Sequence, residues 1–127
     1  YCSATALIRR ANQALPGHPG SALNNALPLN AKKVCDAAAA GDALAKKVFD
    51  EYVTDLAQVV ASMVNMLDPD VIALGGGVAG AGEFLLKPLR EQFPRYVTFF
   101  PAVHTEVMAA SLGNDAGIIG AAMLGNA

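Results

Sequence analysis

Four consecutive apolar residues, Val71-Ile72-Ala73-Leu74, run directly into Gly75-Gly76-Gly77. A short, continuous apolar run rich in β-branched side chains suits a parallel strand covered on both faces. The glycines let the backbone turn sharply where the strand ends. Parallel strands cannot be joined by a tight hairpin; they need a crossover, usually a helix. Residues 105–108 read as the second strand, and a helix over 82–92, with Leu85, Leu86 and Leu89 facing inward, supplies the crossover. Pro88 falls within that helix, where it can kink or divide it. The chain is therefore committed to the α/β class. Two strands leave a sheet with uncovered faces and edges, so the pattern calls for further strands from outside these residues.

The remaining segments read mainly as helices. Ser3 or Thr5 can cap a helix over 3–15, with Leu7, Ala11 and Leu15 inside and Arg9 and Arg10 facing water. Pro16-Gly17 ends it, and residues 16–29, with three prolines and two glycines, read as a surface loop in which His18 is exposed. Asn30 caps a second helix that Gly41 closes. Asp42 then caps a long third helix over 43–67, whose apolar residues widen beyond one stripe near its end, so that Met63 and Met66 are expected in the core. Pro69 stops it. Tyr96, Val97, Phe99 and Phe100, between Pro94 and Pro101, form an extended connector or an edge strand. Gly113-Asn114-Asp115 turns the chain into a last helix over 116–124, whose small residues Gly117, Gly120, Ala121 and Ala122 give a smooth packing face.

The 127 residues fit one domain or part of one. Hydrophobic residues make up 54% and charged residues 16%, against the usual quarter charged, so the chain is core-rich rather than disordered. A net charge of −2 and scattered basic pairs argue against nucleic acid as a partner. Cys2 and Cys35 lack the spacing of a zinc site, and a free thiol at Cys35 within an Ala-rich helix favours a reducing, cytoplasmic setting. The first residues do not form a signal peptide, and no apolar run approaches the roughly 20 residues of a membrane span. A start without Met points to a fragment of a longer protein.

Chemistry is concentrated at one edge of the sheet. Ligands of open α/β sheets bind beyond the carboxyl ends of the strands, and glycines there allow close approach to backbone amides. Gly75, Gly76, Gly77 and Val78 are accordingly the candidate ligand-binding residues; read as residues alone, they suit a tight turn without a ligand better. The segment 111–117 precedes the last helix at the same edge and is either a second ligand loop or a turn with an N-cap. A Ser111–His104–Asp115 triad lacks the GxSxG elbow. Asp68 and Asp70 lie at the wrong end of the strand for a site, and no metal constellation is present.

Three segments, in order, resemble the ROK family of bacterial sugar kinases and sugar-responsive repressors. Leu67 to Val78 is similar to its "lDPe-ivlGGgv" segment. Ala38-Ala39-Ala40-Gly41-Asp42 with Ala45 is similar to its "aA-GD--A" step, and Ser111 to Ala122 to its closing "lg-dagliGAa" segment. The resemblance covers nearly the whole chain. It implies that residues 1–127 are a single-domain fragment, the helix-rich C-terminal part of an actin/hexokinase-type (ribonuclease H-like) ATPase lobe with few parallel strands. It further implies ATP with Mg2+ as cofactor and a hexose as substrate, with Gly75, Gly76, Gly77 and Val78 lining the adenosine part of the site. The family's phosphate loops, catalytic Asp, ExGH motif and CxCGxxGCxE zinc motif do not occur in this sequence, and no zinc role is carried onto Cys2.

Three expectations follow. The first is the adenosine-side fragment of an ATP-dependent sugar kinase, inactive alone. The second is the same fragment of a sugar-responsive repressor, separable only by a helix-turn-helix upstream. The third is a dimerisation module, because incomplete sheets and apolar surface favour a homodimer.

Overall fold

The computed structural model describes residues 2–99 and 103–111. Helix α1 (Ala4–Ala14) starts at Ser3, whose hydroxyl accepts from the Ala6 amide at 3.2 Å. Its buried face is Ala6, Leu7 and Ala11. Arg9 faces water as expected, but Arg10 turns inward and pairs with Asp55 of the third helix, pinning the two helices together. The hydrogen bond to Asp55 raises the Arg10 pKa.

Residues 16–29 are not merely a surface loop. Short 3-10 turns at Leu15–Gly17 and Ala22–Ala26 fold the segment back, so that Leu23 is fully buried and Ser21 is 8% exposed. His18 is exposed, as its loop position implies. Helix α2 (Ala31–Ala39) follows, with Asn30 Oδ1 accepting from the Lys33 amide at 2.8 Å. Gly41 adopts φ 92°, and the Asp42 and Gly41 amides donate back to Ala37 and Ala38 carbonyls at 3.0 and 3.1 Å. That pair of bonds satisfies the last carbonyls of the helix, and the left-handed residue is Gly because a Cβ there is strained.

Helix α3 (Ala43–Leu67) is the spine. Leu44, Val48, Tyr52, Val53, Leu56, Val60 and Val64 are buried along it, and α1, α2 and a fourth helix all pack against it. The expectation that its far end is deeply buried is overturned: Met63 is 47% and Met66 80% exposed, with Val59 and Leu67 also open. Periodicity identified both apolar faces, but the described neighbours cover one of them. The helix ends at Asp68 in the left-handed conformation, φ 44°, ahead of Pro69.

Strands β1 (Val71–Leu74) and β2 (Glu106–Ala109) pair in parallel, with Val71 opposite Glu106 and Leu74 opposite Ala109. Helix α4 (Glu83–Gln92) makes the crossover and buries Leu85, Leu86 and Leu89. It runs through Pro88 without division; one amide bond is lost there, and the buried leucines on either side hold the helix. Val107 is buried, yet β1 is not covered on both faces, since Val71 is 48% exposed. A sheet of two described strands has too few layers around it to enclose both. On the outer side of β2, Arg90 Nε donates to the Val107 carbonyl at 2.8 Å while Nη1 meets Glu83 at 3.0 Å.

Among the described residues after α4 there is neither an edge strand nor an extended connector; Phe100 and Pro101 lie outside them. A 3-10 turn at Phe93–Tyr96 tucks Phe93 and Val97 into the core. Asn65 fixes this turn to α3, accepting from the Thr98 amide at 2.9 Å and donating to the Tyr96 carbonyl at 3.3 Å. The last helix expected over 116–124, and most of segment 111–117, lie outside the described residues.

One carboxylate ties these pieces together. Asp42 caps α3 by accepting from the Ala45 amide at 2.8 Å; it also accepts from the Ala22 amide at 2.8 Å and the Ser21 hydroxyl at 3.0 Å. The bond from Ala45, then those from Ala22 and Ser21, hold the Asp42 carboxyl below its ordinary 3.8. A lost N-cap costs about 1 kcal/mol, and orphaned buried donors add to it. Asp42→Ala should therefore lower stability by about 2–3 kcal/mol in urea denaturation. Because the folded pKa is the lower one, this contribution is complete above the unfolded value and lost as pH falls through the folded value. Asp42→Asn should flatten the acid limb of a stability–pH profile.

Candidate functional site

Both strands end at one edge. The Ala110 amide donates to the Leu74 carbonyl at 2.8 Å, the last rung between them. Beyond it the chain enters Gly75-Gly76-Gly77, and the Ala79 amide closes the turn on the Gly76 carbonyl at 3.1 Å. Gly76 has φ 82°, in the region that favours glycine, and a Cβ there would meet nothing within 4 Å. A Cβ on Gly75 or Gly77 would make ordinary contact, 3.9 Å from Ala110 and 3.8 Å from Ala4. The amides of Gly76, Gly77 and Val78 donate to no acceptor among the described residues. Val78 is 6% exposed, and a ligand would meet little of its side chain.

The turn forms one wall of a cleft of about 320 Å³. Its other wall is the start of α1, Cys2 to Thr5, with Tyr52 and Leu56 of α3 at its side. No Lys, Arg, Asp or Glu lines it among the described residues. Tyr52 donates its phenol proton to the Cys2 carbonyl at 3.0 Å, and burial pushes its pKa up to about 12. Burial, and then the nearby Asp55 charge, also raise the Cys2 thiol. The lining is thus neutral at pH 7, with hydrogen-bond donors set in apolar surface. Such a cleft suits an uncharged, flat polar molecule and offers no cationic side chain to a chain of phosphates.

All four candidate residues read from the sequence, Gly75, Gly76, Gly77 and Val78, sit together at this cleft. The opposite wall was not legible: Cys2 to Thr5 and Tyr52 carry no local motif and arrive only through the packing of α1 on α3. Ser111 is exposed in the turn after β2, at the same edge. His104 is at the other end of β2, where Nε2 lies 3.5 Å from Asp70 and 3.8 Å from Asp68. His104 and Ser111 are thus separated by the length of the strand and form no triad. No group of three metal-ligating side chains occurs among the described residues, and no helix among them is long and apolar enough to cross a membrane.

The fold is shared with proteins of known structure. The chain superposes on a ROK family glucokinase from Streptomyces griseus, solved with glucose and AMPPNP, with a TM-score of 0.80 and 33% identity over 98% of this chain and 42% of that one. The architecture is therefore a helix-rich portion of the actin/hexokinase-type fold. The ROK family model matches residues 1–127, and the chain belongs to the ROK family. It is 40% identical over 126 residues to a glucokinase of Halalkalibacterium halodurans, covering 96% of this chain but 38% of that enzyme. A ROK family transcriptional regulator, a homolog of the E. coli MLC protein, shares the fold with a TM-score of 0.70 at 20% identity. The chain thus spans about two-fifths of the length of the glucokinases it matches.

The turn geometry separates its glycines. Gly76→Ala forces a Cβ into the left-handed region and should cost about 1 kcal/mol. Gly77→Ala only adds a methyl against Ala4, and its unfolding free energy in urea denaturation should stay within about 0.5 kcal/mol of the parent.

Proposed function

We propose that this chain supplies the adenosine-side wall of the ATP site in a sugar kinase of the glucokinase type, which phosphorylates a hexose hydroxyl. The uncharged cleft at the glycine turn carries the proposal. A purine nucleoside is flat, neutral and rich in hydrogen-bonding edges; glycines at 75–77 let it approach the backbone, and the free amides of Gly76 to Val78 can donate to it. The similarity to glucokinases, one of them crystallised with an ATP analogue, supports the same reading.

What these residues do in such a reaction is bind and orient. They hold the nucleoside end so that the triphosphate extends away from the neutral cleft. The phosphates, with the Mg2+ that accompanies ATP, would be held by groups beyond the described residues. Phosphoryl transfer depends on positioning and charge stabilisation, and this chain contributes to the first. The free thiols Cys2 and Cys35 accord with a cytoplasmic setting.

Calorimetric titration tests this. Weak, saturable ATP binding is expected, and Gly76→Asp should abolish it by filling the open space at the turn. Adenosine should bind within about threefold of ATP, because no cationic side chain lines the cleft to reward phosphate. Hexose phosphorylation should be absent from the isolated chain. Sustained turnover, or ATP binding far tighter than adenosine, contradicts the proposal.

A further inference from the structure

Among the described residues, Tyr52 is the one aromatic side chain at the cleft beside the glycine turn, and it is only 2% exposed. So little of its surface is open that a ligand would scarcely touch it. A phenylalanine would fill the same place on α3 without a polar atom to satisfy, and a buried hydroxyl is costly unless it finds a partner. The partner is the Cys2 carbonyl, 3.0 Å from the Tyr52 hydroxyl and fifty residues away in the chain. That carbonyl lies ahead of the N-cap of α1: the amides of Ala6 and Leu7 both turn back to Ser3, and neither reaches Cys2. Among the described residues only Tyr52 donates to it. Burial raises the phenol pKa to about 12, so the hydroxyl keeps its proton and remains a donor at neutral pH. The wall it holds stands close to the opposite one. A Cβ on Gly77 would come within 3.8 Å of the Ala4 Cβ, so a small displacement of the start of α1 changes the opening between the two.

We propose that Tyr52 is a positioning residue for nucleoside binding: through the Cys2 carbonyl, its hydroxyl sets Cys2 to Thr5 at the distance from the glycine turn that a purine nucleoside requires. The inference rests on the function proposed above for this cleft and names the side chain that fixes its width. Val48, Val53, Leu56 and Val60 hold α3 to its neighbours by buried apolar surface, which is non-directional. Tyr52 adds a directed bond, and a directed bond can fix where one stretch of backbone stands. A binding wall held in place beforehand spares the ligand the cost of ordering it. Without the hydroxyl the start of α1 keeps its Ser3 cap but loses its tie to α3 at Cys2, and the nucleoside must order that segment as it binds.

Tyr52→Phe keeps the ring and removes the bond. Calorimetric titration of the 127-residue chain with adenosine should give a Kd about fivefold higher in this variant than in the wild type. Asn65→Ala is the control for stability: it removes two hydrogen bonds between α3 and the turn after α4, away from the cleft. It should lower the melting temperature and leave the adenosine Kd unchanged. A second readout needs no nucleoside. Alkylation of Cys2 by iodoacetamide, followed by peptide mass spectrometry, should be several-fold faster in Tyr52→Phe, because the start of α1 is released. Buried Cys35 should react at the wild-type rate, as a core that stays closed requires. An adenosine Kd that Tyr52→Phe leaves unchanged overturns the proposal, and so does an unchanged Cys2 rate or a rise at both cysteines. If the wild type binds no adenosine, the function proposed above fails instead, and the Cys2 rate alone decides whether Tyr52 positions the wall.

Discussion

The carboxylate of Asp42 stands at the point where the two halves of this structure meet. A long helix can begin only if its first amides find acceptors, and Asp42 supplies one for Ala45. The same two oxygens take the Ser21 hydroxyl and the Ala22 amide, twenty residues earlier in the chain. One side chain thereby sets the start of α3, the path of residues 16–29 and the exit from α2. Once α3 is fixed, the rest follows by burial: α1, α2 and α4 each lay an apolar face on it, and the turn after α4 is secured by Asn65 on the same helix.

The candidate site is a by-product of that packing. The glycine turn is formed locally, by a strand that ends and a backbone that must reverse. What makes it a cleft is the start of α1, brought opposite by the packing of Leu7 and Ala11 on α3 and by the Arg10–Asp55 pair. Tyr52 ties the α1 side to α3 by donating to the Cys2 carbonyl. The result is a neutral lining, and neutrality is the feature with functional content. Under the proposed function a nucleoside is held there, and the charged part of a nucleotide is handled elsewhere. This division of labour fits a chain that spans about two-fifths of the glucokinases it resembles.

The sheet and the open face of α3 show the opposite relation between pattern and structure. Val71 to Leu74 carry the residue types of a strand enclosed on both faces, and the end of α3 carries those of a helix enclosed all round. In this structure both are partly open. Apolar composition records what a segment is suited to pack against; it does not supply the partner.

The amino-acid sequence by itself determined the class and, to within a residue or two, the bounds of the four helices and two strands, and it offered the candidate residues. Helix caps at Ser3, Asn30 and Asp42, stops at Gly41 and Pro69, and the parallel pair with its crossover are all local signals: they depend on backbone donors, φ angles and side-chain periodicity within a few residues. The motifs that resemble the ROK family are local in the same sense. Tertiary structure alone decided which apolar faces are covered, why Arg10 is paired rather than solvated, how Leu23 is buried inside an apparent surface loop, and what forms the second wall of the cleft. These outcomes depend on contacts between residues far apart in the chain, such as Arg10 with Asp55 and Ser21 with Asp42. Local composition permits such contacts without specifying them.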